Sequence, residues 1–398
     1  MSDSQVRLFA VGDVHPNRPK PETLLRRVAP LLSSGDIVFG QLECTISDKG
    51  EVRSDVRNPA HRVDPHNVDA LIAGGFDFVT YAGNNNLDYG RDAFLDTIER
   101  LGSHGIQVVG AGRDLDEATR PLVVERGGIR FAFVSHCSIL PRGYAATASR
   151  PGISPLEIST FYEPIENIYE QPGTPAKTIT IARQDDIARI QGVIRGAKSQ
   201  ADIVIACFHW GVHFTFDLAM YQPEVAYAAI DAGADIVIGT HPHCLQAVDV
   251  YKGKPIFYSM GNFAFEQPGE LALRGASSYL AMYGIPADET VPGHPHPSHC
   301  RPSMILDCTF SKQGLVDFQL IPSYLSDECE PEILESGERY KTVVDLVRRL
   351  STGIGTVTEV KDRTIRVDLS ASKPDTREIL RRQRISYPSL KYLSTEDV

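Results

Sequence analysis

Five times along the chain a short apolar run of strand length ends in a residue able to ligate a metal, and that recurrence limits the fold more than any other feature. Residues 6–11 run into Gly12-Asp13-Val14-His15, and residues 36–39 into Gly40-Gln41-Leu42-Glu43. Residues 76–81 lead to Asn84 within Gly83-Asn84-Asn85-Asn86-Leu87-Asp88, residues 203–207 to His209, and residues 236–238 to Gly239-Thr240-His241-Pro242-His243. Stretches with helical spacing of apolar residues lie between them, at 21–32, 64–73, 91–104, 184–198 and 222–232. This alternation predicts parallel sheet with right-handed crossovers, and ligand sites in such sheets gather beyond the carboxyl ends of the strands. In an extended segment residues i and i+2 point the same way, so Asp13 with His15, and His241 with His243, are expected to converge. Glu43 at the end of an otherwise apolar strand costs free energy unless it is paired or bound to a metal. Taken alone, one H-x-H also reads as a pair of polar loop histidines, and three asparagines after a glycine also read as a turn.

Composition narrows the function classes. The 398 residues exceed the usual domain size of ~100 to 200, a length that one large α/β sandwich with an appended piece absorbs. The formal charge of −11 has no basic run to offset it, which argues against a nucleic-acid surface. Arg381-Arg382-Gln383-Arg384 reads as a solvated face. The opening MSDSQVRLFAVGD enters a strand without the apolar stretch of a secretory signal, and no run approaches the ~18 apolar residues of a membrane span. These features predict a cytoplasmic protein without a membrane partner that acts on a small molecule; association into a homo-oligomer is left open. Cys44, Cys137, Cys207, Cys244, Cys300, Cys308 and Cys329 show no CxxC pair and fit free thiols in a reducing compartment.

Other stretches are less constrained. Residues 122–126 and 130–136, joined by Gly127-Gly128, predict a hairpin, as does Lys252-Gly253-Lys254-Pro255 before a strand over 256–260 that ends in Gly261-Asn262-Phe263. Residues 142–178 and 266–300 read as irregular, the second a flexible cover for the site that carries His294, His296 and His299 between prolines. Residues 303–310 and 315–321 predict an antiparallel sheet edge. The tail shows a helix near 340–350, two short strands and a second helix.

Asp13, His15, Glu43, Asn84, His209, His241 and His243 are too many candidate ligands for one tetrahedral zinc. They suit two adjacent divalent ions (Mn, Zn or Fe) ~3.5 to 4 Å apart with a bridging carboxylate. Two such ions lower the pKa of a shared water towards neutrality and polarise the oxygen of an ester, amide or phosphoryl group.

The order D-x-H, E, G-N-x, H, H-x-H resembles the calcineurin-like metallophosphoesterase superfamily. The phrases GDVH, LECTIS, NNNLDYG, FHWG, GTHPHCLQ and KPIFYSMGNF resemble its CapA-type capsule-synthesis or poly-γ-glutamate branch, over about residues 6–265. The resemblance implies a four-layer α/β/β/α metallophosphatase-like sandwich; this domain is expected over 1–325 with loop insertions near 142–178 and 266–300, and the 266–300 segment and a small C-terminal α+β extension over 326–398 fall outside the resemblance. It implies one metal on Asp13, His15 and His243, a second on Asn84, His209 and His241, and Glu43 bridging where phosphoesterases usually have Asp. One position departs from the family phrase: Asn85 stands where a histidine assists the leaving oxygen, and a neutral amide is no general acid at pH 7. Asp88, His136 or His213 are the candidates to supply that proton, His213 first because it lies four residues beyond a candidate ligand. The expected function is a dinuclear metal-dependent hydrolase using metal-bound hydroxide on an amide or lactam bond of a small acidic or glutamate-like substrate. Arg142 and Arg274 would hold the substrate carboxylate and His136 would stand beside the substrate. The alternatives are a phosphoesterase of the same fold and a non-catalytic accessory protein of poly-γ-glutamate or capsule synthesis.

Overall fold

The computed structural model describes residues 5–56, 58–164, 172–294 and 296–382. Two sheets carry the molecule. In the larger, the neighbouring strands Val6–His15, Ile37–Leu42, Phe78–Thr80 and Gln107–Val109 run parallel. On the other side of Val6–His15, the antiparallel strands Pro302–Ser311 and Gly314–Leu325 continue the sheet. In the six-stranded sheet, Lys254–Phe257, Ile236–Thr240, Ile203–His209 and Ile129–Cys137 are parallel, with Val248–Tyr251 and Leu122–Arg126 antiparallel at its edges.

Alternation along each strand sets the layers. Leu8 and Ala10 share one core with Phe39, Phe131, Phe133, Ile203, Ile205, Ile236 and Ile238, so this face of each sheet packs on the other sheet. Phe78 stacks on Phe39 at 4.7 Å between ring centroids and meets Phe133 of the facing sheet at 4.4 Å. The intervening residues Phe9, Val11 and Val38 pack instead with Leu71 of helix Val68–Ala73 and Phe94 and Leu101 of helix Gly90–Ser103. On the far side, Ala132, Val134, Val204 and Val237 pack with Ile187, Ile190 and Ile194 of helix Gln184–Lys198 and Val225 of helix Tyr221–Asp231. Helix, sheet, sheet, helix is the α/β/β/α sandwich expected. Strands apolar on both faces are what such a burial requires.

Several segments differ from the sequence expectation. Residues 21–32 form a short 3-10 turn, Pro21–Thr23, and a one-turn helix, Ala29–Leu32, rather than one helix; Leu24, Leu25, Val28 and Leu32 are fully buried all the same. Pro30, without an N–H, cannot extend a helix running into it from 21–28. Within 142–178, Ile158–Glu163 and Lys177–Ala182 pair as an antiparallel hairpin whose tip lies partly outside the described residues. Within 266–300 there is a helix, Glu270–Ala281. The pair Pro302–Ser311 and Gly314–Leu325 lies inside the sheet, because the tail strands Thr358–Lys361 and Thr364–Val367 extend it through Leu320 and Ile365. Helix Glu338–Thr352 lends Val343 and Val347 to the core between the sheets. Residues 383 and 384 of the basic run lie outside the described residues. All seven cysteines are free and buried. Among the described residues no helix is long and apolar enough to cross a membrane.

Candidate metal centre

The parallel strands of both sheets bring their carboxyl ends to one place. Asp13 and His15 lie at the end of Val6–His15, Glu43 follows Ile37–Leu42, Asn84 sits in the turn after Phe78–Thr80, His209 ends Ile203–His209, and His241 follows Ile236–Thr240. All seven candidate ligands are buried. Two glycines let the backbones close up here. A Cβ on Gly12 would stand 1.9 Å from the Gly261 oxygen, and one on Gly239 would stand 2.1 Å from the Tyr258 oxygen.

The H-x-H pair reaches the site differently from the extended segment expected. His241 has φ of 96° and His243 of 61°, so a left-handed turn, not strand alternation, aims the two rings. Non-glycine residues rarely adopt such angles, and where they do the surrounding structure must hold them.

Asn84 Oδ1, His209 Nε2 and His241 Nδ1 meet at separations of 2.8, 3.1 and 3.1 Å. Those match the ~3 Å between adjacent ligands in an octahedron of ~2.1 Å bonds. Thr240 Oγ1 holds the other nitrogen of His209 at 3.0 Å. Asp13, Glu43 and His209 offer atoms all within 4.8 Å of one another, which joins this trio to the remaining candidates. His15 donates from Nδ1 to the Glu266 carbonyl at 2.9 Å, which leaves the lone pair on Nε2. His243 Nδ1 lies 3.6 Å from Asp13 Oδ2. Asn85 donates from Nδ2 to Glu43 Oε1 at 3.0 Å.

Burial dominates the electrostatics. It pushes Asp13 up to about 8, partly offset by the His241 N–H, and holds Glu43 well above the usual carboxylate range with help from the nearby Asp13. It pushes His15 and His243 down to about 4, and His209 and His241 well below the usual imidazole range. Burial therefore works against charge on both sides of the 3.6 Å contacts of His209 with Glu43 and of His243 with Asp13. Asp13 Oδ1 and Glu43 Oε2 have no hydrogen-bond partner, a cost of about 1–3 kcal/mol for each buried polar atom. A divalent cation reverses that logic, since it favours both carboxylates and uses imidazole lone pairs that burial already keeps unprotonated. The buried Asp, Glu and His cluster fits divalent metal.

A family model described as bacterial capsule synthesis protein PGA_cap matches residues 7–267, which include every one of these seven positions. The chain belongs to this family. It is 28% identical over 275 residues to the PGA biosynthesis protein CapA of Bacillus subtilis (strain 168), covering 67% of this chain and 65% of that one. It is 31% identical over 238 residues to the probable polyglutamine synthesis accessory protein Rv0574c of Mycobacterium tuberculosis (strain H37Rv), covering 59% of this chain and 57% of that one. This PGA_cap chain thus spans less than two thirds of either relative. A crystal structure of a hypothetical protein from Thermus thermophilus superposes with a TM-score of 0.44 at 15% identity, covering 83% of this chain and 100% of that one.

In this PGA_cap chain a cavity of roughly 250 Å³ opens onto the cluster. Asn84 and His243 line it, with the three residues expected to act in catalysis, Asn85, Asp88 and His213. Asp88 accepts a hydrogen bond from Tyr144 at 2.6 Å, and His213 Nδ1 meets Tyr279 Oη at 2.5 Å, its ring 3.9 Å from that of His241. The residues expected to bind substrate, Arg142, Arg274 and His136, are not among the described residues that line the cavity. Arg142 is exposed and accepts from Arg53 through its carbonyl, and Arg274 points off helix Glu270–Ala281 to pair with Glu270. His136 is fully buried against Ser154 at 2.6 Å. The cavity wall sets apolar Val56, Ile139, Pro141, Phe214 and Leu280 beside polar residues such as Asp55 and Asn58, with no lysine or arginine among the described lining residues.

Sequence reasoning missed further residues at this site. His61, Tyr144, Tyr279 and His296 line the cavity, and Gln267 Nε2 stands 3.4 Å from His15 Nε2. His61 follows no apolar run, so nothing local marks it. Gln267 comes just after the apolar Phe263-Ala264-Phe265, and Asn262 follows the apolar run of 256–260 and Gly261 in the sequence, the same signal that pointed to Asn84.

Proposed function

We propose that the chain is a metal-dependent hydrolase that holds two divalent ions, one on Asp13, His15 and His243, the other on Asn84, His209 and His241, with Glu43 between them. The observation that carries this reading is the pair of buried, unpartnered carboxylate oxygens, Asp13 Oδ1 and Glu43 Oε2, facing imidazoles that burial keeps neutral. Such ions supply an attacking nucleophile from water and polarise the oxygen of the scissile bond.

The chain's own residues do the rest. The Glu266 carbonyl and Thr240 hydroxyl orient His15 and His209, and Asn85 fixes Glu43. The leaving group needs a proton. Asp88 is the better donor than His213, because burial lifts its carboxyl to about 7 against the lowering hydrogen bond from Tyr144, whereas burial and neighbouring histidines hold His213 neutral. Proton transfer from a carboxylic acid in place of the usual histidine, with Asn85 unable to donate one, favours an amide or lactam bond over a phosphate monoester. Arg142 and Arg274 do not line the cavity, so an acidic or glutamate-like substrate rests on the family resemblance rather than on a lining cation.

Loss of amide turnover on chelation, its recovery with Mn²⁺, and no turnover on a phosphate-ester panel support this reading. Robust hydrolysis of p-nitrophenyl phosphate by the same preparation contradicts the amide preference. A second reading, a non-catalytic part in polymer synthesis, is favoured by the accessory role in the M. tuberculosis relative's name. It requires that metal bind without any turnover and that the chain co-purify with a ligase.

A further inference from the structure

One buried side chain beside the candidate ligands is used by nothing above. Asn262 opens the strand Asn262–Phe265, which pairs in parallel with Val6–His15 so that Asn262 lies opposite Asp13. It is fully buried. Its Oδ1 is 2.9 Å from His243 Nδ1, while its Nδ2 is 3.0 Å from His294 Nε2 and 3.3 Å from His296 Nδ1. An amide nitrogen carries two protons and an amide oxygen none. In this arrangement both N–H groups are given to His294 and His296, and the oxygen accepts the Nδ1 proton of His243. That fixes the tautomer of His243 with its lone pair on Nε2, the atom left to bind an ion.

The other ends of this relay belong to the segment that covers the site. His296 packs its ring 4.6 Å from His243, 4.8 Å from Phe265 and 5.3 Å from Phe214. The Gly293 carbonyl accepts from the Gln267 N–H at 2.7 Å, directly beside Glu266, whose own carbonyl orients His15. The covering segment and the candidate ligand His243 therefore share one hydrogen-bonded side chain.

We propose that Asn262 is a positioning residue that couples His294 and His296 to the metal centre, so that the covering segment sets metal affinity and metal binding in turn orders that segment. This rests on the reading of the cluster as a metal site. Linkage makes the two effects reciprocal.

The test is Mn²⁺ titration calorimetry on the full chain, with hydrogen exchange of the segment around 291–296 with and without Mn²⁺. Asn262→Ala is expected to raise Kd by roughly 10- to 100-fold, the usual cost of losing an outer partner of a ligating histidine. The pair His294→Ala with His296→Ala, which leaves the sheet untouched and keeps the test open if Asn262→Ala does not fold, is expected to raise Kd by a smaller factor. Adding Asn262→Ala to that pair should then cost less than it does alone. In the native chain, Mn²⁺ should slow exchange around 291–296. A folded Asn262→Ala, or a folded histidine pair, that binds Mn²⁺ as the native chain does overturns the coupling alone. A native chain that takes up no metal overturns the metal reading, and this proposal with it.

Discussion

At the scale of single residues, the proposed function assigns the choice of chemistry to Asp88 and Asn85. Asp88 is 3% exposed, and burial raises its carboxyl to about 7 while the Tyr144 hydroxyl pulls it down. A proton donor acts only while protonated, so turnover should fall as pH rises through about 7. Asp88→Asn is expected to lower kcat by roughly 10²- to 10⁴-fold and to abolish that alkaline limb. Tyr144→Phe removes a bond that favours the charged form, so it should move the limb to higher pH; a limb that stays in place in both variants removes Asp88 from the role. Asn85 is the complementary case. Asn85→His places an imidazole where the amide now holds Glu43, and phosphate-monoester turnover on p-nitrophenyl phosphate should rise by about 10²-fold. A variant as inactive on that ester as the native chain counts against this assignment of the position.

At the scale of elements, the loop that follows Glu43 is tied to a helix by a buried acid. Ser47 and Arg100 hydrogen-bond Asp96 of helix Gly90–Ser103 at 2.7 and 3.0 Å, Lys49 pairs with it at 2.7 Å, and the Ile46 N–H reaches Thr97. Burial alone would raise Asp96, but these three partners outweigh it and hold the carboxyl at about 2. Its folded value lies below the unfolded ~3.9, so its stabilisation is complete above pH ~4 to 5 and lost as pH falls towards about 2. Asp96→Asn should therefore cost on the order of 1 kcal/mol at pH 7 in urea unfolding, and the gap to the native chain should narrow from pH 5 to pH 3; a gap that widens on acidification contradicts the sign.

Elements of this kind were legible in the sequence to differing degrees. Helix Gln184–Lys198 and the two glycine-containing hairpins follow local rules, and both are where periodicity and turn chemistry put them. The polar tips of the five strands were legible because a ligating residue after an apolar run is costly without a purpose. Helix Glu270–Ala281 was hidden, since its neighbours are rich in proline, glycine and histidine and its packing is tertiary, with Leu280 buried against Phe214, Cys244 and Cys300. The turn at His241 and His243 was hidden for another reason: left-handed angles on histidine are imposed by packing, and no local preference announces them.

At the scale of the whole molecule, the tail closes the sandwich through one buried pair. Lys373 meets Asp249 at 2.7 Å with both side chains nearly inaccessible, and Tyr227, Tyr258 and Thr376 complete the shell of Asp249 at 3.1, 2.8 and 2.8 Å. Removing one partner of a buried pair strands the other charge. Lys373→Ala should destabilise the chain by roughly 3 kcal/mol, read as a lower urea midpoint, and a midpoint unchanged from the native chain would show that this pair does not hold the tail. The larger claim is that two sheets meet so that seven side chains from five strand ends enclose divalent metal. Elemental analysis of the full chain after loading with Mn²⁺ and removal of free metal tests it most directly. The account predicts two equivalents per chain, falling below one in Glu43→Gln; a native chain with none, or a Glu43→Gln chain that keeps both, contradicts it.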